Sequence, residues 1–258
     1  MTWGLRISNP GGDLVLDADV PTYRYLSRPS PSVAGSKSGG VVNPYQYTVS
    51  TGSDSLPPIV VVRPASDRVM AFAGVTSLGG GSWRVNVFGL STSSAMVSLA
   101  NAVVATPDVY IFVPTIAASS DTYGLRLWTA SGVVSFDAAY KPLWLRGTVS
   151  YGAASGLYFV SGGHTDATSW DSDAQSISGY SALGVCGNPQ GASQSTADVS
   201  GEPADKWLYG WRLNGSNLER RRFWAGTDRP AHTFDNTFDE ADWERKATTA
   251  VLLELSIY

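Results

Sequence analysis

A shift of 120 residues lays the opening of the chain over its middle, placing Trp3-Gly4-Leu5-Arg6-Ile7 on Tyr123-Gly124-Leu125-Arg126-Leu127. The match continues without a gap through Gly12 on Gly132, Leu14 on Val134, Leu16 on Phe136, Asp17 on Asp137 and Ala18 on Ala138. A one-residue slip then sets Pro21 on Pro142 and Tyr23 on Trp144. Strand–turn–strand segments are common, but one alignment that keeps an aromatic, Gly-Leu-Arg, a turn glycine and a terminal aspartate in order points to duplication. The expectation is two tandem units, 1–120 and 121–258, with a boundary near Ala118 to Thr122.

The repeated phrase reads as a hairpin with a third strand attached. A strand (WGLRI, YGLRL) enters a turn holding NPGG or ASG, where glycine supplies the positive φ of a tight hairpin turn. A second strand (DLVLD, VVSFD) returns and ends on an aspartate suited to a side-chain-capped turn. A third strand (TYRYL, PLWL) follows. Because side chains alternate along a strand, Arg6 and Arg126 sit either on an exposed face or against a carboxylate. Asp17 and Asp137 are the partners in reach.

The rest of the chain repeats a period near two. VVNPYQYTVS, PPIVVVRP, RVMAFAGV, SWRVNVFG, PDVYIFVP, GLYFVSG, KWLYGWRLN and TAVLLELSIY are short, β-branched or aromatic, and bounded by turn residues. With 27 Gly, 14 Pro and only 16% charged residues, the fold class is all-β: two tandem antiparallel β-sandwich-like modules with long loops and little helix. Ser94 to Val104 fits a helix or a strand, and Phe238 to Lys246, acids before bases, fits one or two helical turns. Arg28 to Gly40, Ser161 to Ser178 and Gly187 to Pro203 are long Ser/Gly/Pro stretches and candidate surface loops.

Several function classes lose support at this level. A formal charge of −4 supplies no basic field for nucleic acid or an anionic membrane. Cys186 is the single cysteine, which excludes an intrachain disulfide and a thiolate metal cluster. No stretch approaches the roughly 18 uninterrupted apolar residues of a membrane span, and no charged leader precedes an apolar run, so synthesis in a cytoplasm is expected.

Chemistry-bearing patterns are weak. His164, Asp166, Asp171 and Asp173 lie within GGHTDATSWDSD and can offer oxygen ligands to a hard cation, but the spacing is that of a polar loop and matches no EF-hand. GYSALG is one residue too long for a nucleophile elbow. Asp235 to Glu244 supplies five acids with aromatics between them, as a glycosidase cleft requires, and is explained as well by a solvated turn. No phosphate-loop or dinucleotide fingerprint is present, and the expectation is a non-enzymatic chain without cofactor or metal.

The hairpin KWLYGWRLNGSNLERRRFWAG is the more informative segment. Alternation puts Trp207, Tyr209, Trp211 and Leu213 on one face of its first strand, and Arg220, Arg222 and Trp224 on one face of its second. Aromatics aligned in this way serve as core or as a recognition or docking surface, with arginines adding hydrogen-bond forks and cation–π contacts.

The phrase [WY]-G-L-R-hydrophobic, a small turn with Gly, then hydrophobics and F/L-D, resembles short β modules of bacteriophage tail proteins. Those modules read like YGLRVxxxxGxxxFDS followed by a strand and occur in tail-tip, baseplate and tail-fibre-associated proteins. The resemblance rests on YGLRLWTASGVVSFDAAYKPLWL and, less closely, on WGLRISNPGGDLVLDADVPTYRYL, about a fifth of the chain. The first copy departs by carrying Leu16 where the aromatic usually sits. The resemblance implies a structural component of a tail tip or baseplate, present in several symmetric copies within the virion, with other tail proteins and copies of itself as partners. The alternative it leaves is a receptor-binding module that reads a host surface glycan or pilus through the second copy.

Overall fold

The computed structural model describes residues 6–8, 14–17, 21–38, 41–91, 103–151, 173–186, 205–227 and 248–258. Among these the fold is all-β and antiparallel, with no helix. The expectations for Phe238 to Lys246, for most of Ser94 to Val104, and for GLYFVSG lie outside the described residues.

The first half contributes β1 (Arg6–Ser8), β2 (Leu14–Asp17), β3 (Tyr23–Ser27), β4 (Ser36–Ser38), β5 (Val41–Asn43), β6 (Tyr45–Ser50), β7 (Ile59–Val62), β8 (Arg68–Gly79), β9 (Ser82–Ser91) and β10 (Val109–Pro114). The second contributes β11 (Arg126–Trp128), β12 (Val134–Asp137), β13 (Leu145–Tyr151), β14 (Asp173–Ser176), β15 (Leu183–Cys186), β16 (Asp205–Asn214), β17 (Asn217–Thr227) and β18 (Thr248–Glu254).

The repeat survives as pairing geometry. In the first hairpin Arg6 faces Asp17, Ile7 faces Leu16 and Ser8 faces Leu14, with an irregularity between Ile7 and Ser8. In the second, Arg126 faces Asp137, Leu127 faces Phe136 and Trp128 faces Val134, with the irregularity between Leu127 and Trp128. Each pair in one hairpin is the other's pair moved by 120 residues. Gly132 takes φ 81° in the second turn, the left-handed conformation that only glycine adopts without strain.

The likeness extends through the strand order. One sheet runs β13-β18-β15-β7-β10-β3, so each half supplies an outer, a middle and an inner strand in the same chain order. The other runs β4-β5-β17-β16-β8-β9-β6, with β14 beside β17, so β6-β9-β8 of the first half corresponds to β14-β17-β16 of the second. Among the described residues β4 and β5 have no counterpart.

The halves join edge to edge in both sheets, which makes a pseudo-two-fold arrangement of strand order and direction. At the seams Val62 faces Val185 and Met70 faces Trp211. All four are buried in one hydrophobic cluster between the sheets, together with Tyr47, Val85, Val109, Ile111 and Leu252. Strand β9 shows why the sequence folds this way: Trp83, Val85 and Val87 turn inward while Arg84 is exposed. Strand β10, VYIFVP, is buried on both faces, as its unbroken apolar run requires.

The first sheet also curls until its outer strands meet. Tyr25 N–H donates to Lys141 O and Leu143 N–H donates to Tyr23 O, both at 2.7 Å, while Leu145 two residues later pairs with Leu253 of β18. This closure surrounds a second cluster of Val61, Tyr110, Phe112, Leu253 and Leu255, against which Tyr25 and Tyr258 pack. The Tyr258 ring lies 4.9 Å from Phe112 and 5.3 Å from Tyr25.

Candidate functional site

The aromatic hairpin of the sequence is β16 and β17, turned at Gly215 with φ 58°. Trp207 faces Trp224, Tyr209 faces Arg222 and Trp211 faces Arg220, so the backbone brings the six residues into one paired stretch. The side chains of Trp207, Tyr209, Arg222 and Trp224 lie outside the described residues.

Trp211 and Arg220 belong to the core, and this corrects their reading as a recognition surface. Trp211 is 0% exposed and Arg220 is 2% exposed. The Trp211 ring packs 5.3 Å from Tyr151, and the Arg220 guanidinium sits 5.4 Å from the same ring. Tyr151 in turn donates its hydroxyl proton to Leu218 O at 2.9 Å. The physical reason is position: β16 lies between β17 and β8, and its inward face meets the other sheet. A Cβ on Gly210 would stand 2.6 Å from Met70 O, so glycine there lets β8 approach Trp211's strand.

The second copy of the repeated phrase exposes several large apolar side chains. Tyr123 is 91% exposed, Trp144 60% and Trp128 51%, and Leu125, Val133 and Leu145 are exposed as well. Among the described residues no other aromatic side chain is exposed to that degree. Isolated surface hydrophobics are ordinary, and these six differ in falling within one 23-residue stretch of the chain.

That surface stands on a fixed base. The buried Asp137 accepts, on Oδ2, from Arg126 Nε at 2.8 Å, Ser119 N–H at 2.8 Å and Ser119 Oγ at 2.9 Å, and on Oδ1 from Ala139 N–H at 3.0 Å. Arg126 also donates to Ser119 O and Asp121 O at 3.1 Å each. Burial alone disfavours the charged carboxylate, but the hydrogen bonds from Ser119, Ala139 and Arg126 outweigh it and hold Asp137 well below the usual carboxylate range. Of the two placements that alternation left open for Arg126, an exposed face or a carboxylate partner, the structure takes the pairing with Asp137. For Arg6 and Asp17 the register places them opposite each other, and their side chains lie outside the described residues.

The hairpin is also bolted to the first half and to the chain end. Thr22 N–H and Oγ1 donate to Ser135 O at 2.7 and 2.8 Å. Lys141 Nζ donates to Ile257 O at 2.8 Å, and the Tyr258 hydroxyl donates to Pro142 O at 2.6 Å while accepting from Trp144 N–H at 2.9 Å. Ser119 and Tyr258 escaped sequence reasoning because each acts across a distance in the chain. The exposed Tyr123, Trp128 and Trp144 carried one usable signal, since they occur in the repeated phrase itself.

His164, Asp166 and Asp171 of the acidic loop, and Asp235 to Glu244, lie outside the described residues. Among the described residues no group of three or more His, Cys, Asp or Glu is placed to share a metal ion. Compared with protein-family models, curated proteins and solved structures, the chain matches none.

Proposed function

We propose that this protein is a non-enzymatic structural component of a bacteriophage tail tip or baseplate. In this reading it is made in the host cytoplasm and assembles in several symmetric copies with other tail proteins. The observation that carries the proposal is the segment 123–144 around the β11–β12 hairpin, which exposes Tyr123, Trp128 and Trp144 and is tied down by the bonds of Arg126 and Ser119 to the buried Asp137. Aromatic anchors dominate protein interfaces, and a base that is already ordered spares the ordering cost on association. The phrase YGLRLWTASGVVSFD, with its likeness to tail modules, supplies the kind of partner.

Antibody raised against the chain and imaged on intact virions tests this. Labelling confined to the tail tip is expected, and virions that carry no label after mild detergent exposure would contradict it. The receptor-binding alternative is favoured by a different observation, a polar cleft where the two halves meet.

A further inference from the structure

A cleft of about 860 Å³ opens at the seam between the halves, within the about 300–1,000 Å³ span of ligand sites. Its first-half wall comes from the segments that follow β3 and β7 and precede β10, and its second-half wall from the β14–β15 connection and the β16–β17 turn. Both walls are pinned. Arg28 grips Asp108 through two bonds of 2.6 and 2.8 Å. Opposite, Glu254 accepts from the N–H groups of Ser181 and Ala182 at 2.9 Å each. Pro29, Pro31, Pro64 and Pro107 stiffen the rim.

The charge in the cleft is uneven. Arg28, Arg63 and Arg68 line it, against Asp108 within it and Asp67 beside it, leaving one positive charge in excess. Arg68 is committed to Asp67, with bonds of 2.9 and 2.8 Å, and to Thr106 O at 2.7 Å. Asp108 is already held by both Arg28 bonds, and Arg63 approaches it only to 3.8 Å with its side chain 46% exposed. Arg28 and Arg63 thus share Asp108, and Arg63, held by the longer contact, has the planar fork that is freer to meet a further carboxylate. The same lining holds the hydroxyls of Ser30, Ser178 and Ser216 and the ring of Tyr180, which has the Arg146 guanidinium 5.6 Å from its centre.

We propose that this cleft binds a carboxylated sugar of an acidic glycan, the carboxylate on Arg63, sugar hydroxyls on the serine-rich walls and a pyranose face against Tyr180. One excess charge suits one carboxylate at a time. A polyphosphate or nucleic acid would need a denser basic lining, and the chain's formal charge of −4 disfavours it further. The proposal deepens the receptor-binding alternative and leaves the hairpin's assembly role untouched.

Calorimetric titration of the full chain with tetragalacturonate, a hyaluronan tetrasaccharide and sialyllactose tests the idea, with maltotetraose and lactose as neutral counterparts and inorganic phosphate as competitor. The expected result is binding of at least one acidic probe, none of the neutral ones, and a loss of at least tenfold in Arg63→Ala with an unchanged melting temperature. Tyr180→Ala should weaken the same probe several-fold. No binding by any acidic probe, equal binding by Arg63→Ala, or displacement by an equal concentration of phosphate would each overturn it. Tail labelling in the same preparation is read separately, so failure here does not pass for failure of the structural role.

Discussion

Arg126 and Asp137 face each other across β11 and β12 with Nε 2.8 Å from Oδ2, and Arg6 and Asp17 hold the same register 120 residues earlier. The pair ties the hairpin to Ser119 at the junction between the halves, so it couples the repeat's local geometry to the place where the second copy begins. Asp137→Asn removes the charge while keeping the shape, and leaves the partly buried Arg126 without its carboxylate. A stability loss of about 2 kcal/mol is expected in urea unfolding.

Acid should weaken the fold through two carboxylates. Asp137 is held well below the usual range, and Glu254 is lowered to about 2 because hydrogen bonds from Ser256, Ser181 and Ala182 outweigh the effect of its burial. Both groups are charged in the folded state at pH values where the unfolded chain already takes up protons. Their contribution is thus full above the ordinary carboxylate range and fades as pH falls from about 4.5 towards 2. Urea midpoints measured across that window should fall, and the fall should be shallower in Asp137→Asn.

Trp211→Ala should cost about 3–5 kcal/mol, because it empties a fully buried site beside Tyr151 and Met70 at the seam. Scanning calorimetry reads this directly. A loss below about 1 kcal/mol would place the ring outside the core.

The halves should unfold together. Both large sheets cross from one half to the other, at Val62 with Val185 and at Met70 with Trp211. A single transition with equal calorimetric and van't Hoff enthalpies is expected. Gly210→Ala drives a Cβ against Met70 O and should lower that transition without splitting it.

The local part of this fold was legible in the sequence. The repeat, the glycine turn and the strand runs follow from spacing and alternation, which act over a few residues, and the same spacing named Asp137 as a carboxylate in reach of Arg126 without deciding that they pair. Partners far apart in the chain were not. Nothing in IVVV or LGVC says that β7 and β15 pair, and nothing in KWLYGWRLN says which of its faces meets another sheet. Alternation left Trp211 and Arg220 open to a core or a surface place, with core the commoner use of aligned aromatics, and their burial against Tyr151 decides for the core.

Trp128→Ser and Trp144→Ser should leave stability within about 0.5 kcal/mol of the unmodified chain, since both side chains are more than half exposed. The double substitution should nonetheless abolish incorporation into tails, measured by the chain's abundance in purified particles.

A reconstruction of the intact tail by electron cryomicroscopy tests the central claim most directly. Several symmetry-related copies of the chain are expected at the tail tip or baseplate, with Tyr123, Trp128 and Trp144 buried against a neighbouring tail subunit. Copies whose 123–144 surface faces open solvent, or a tail that contains no copy of the chain, would contradict it.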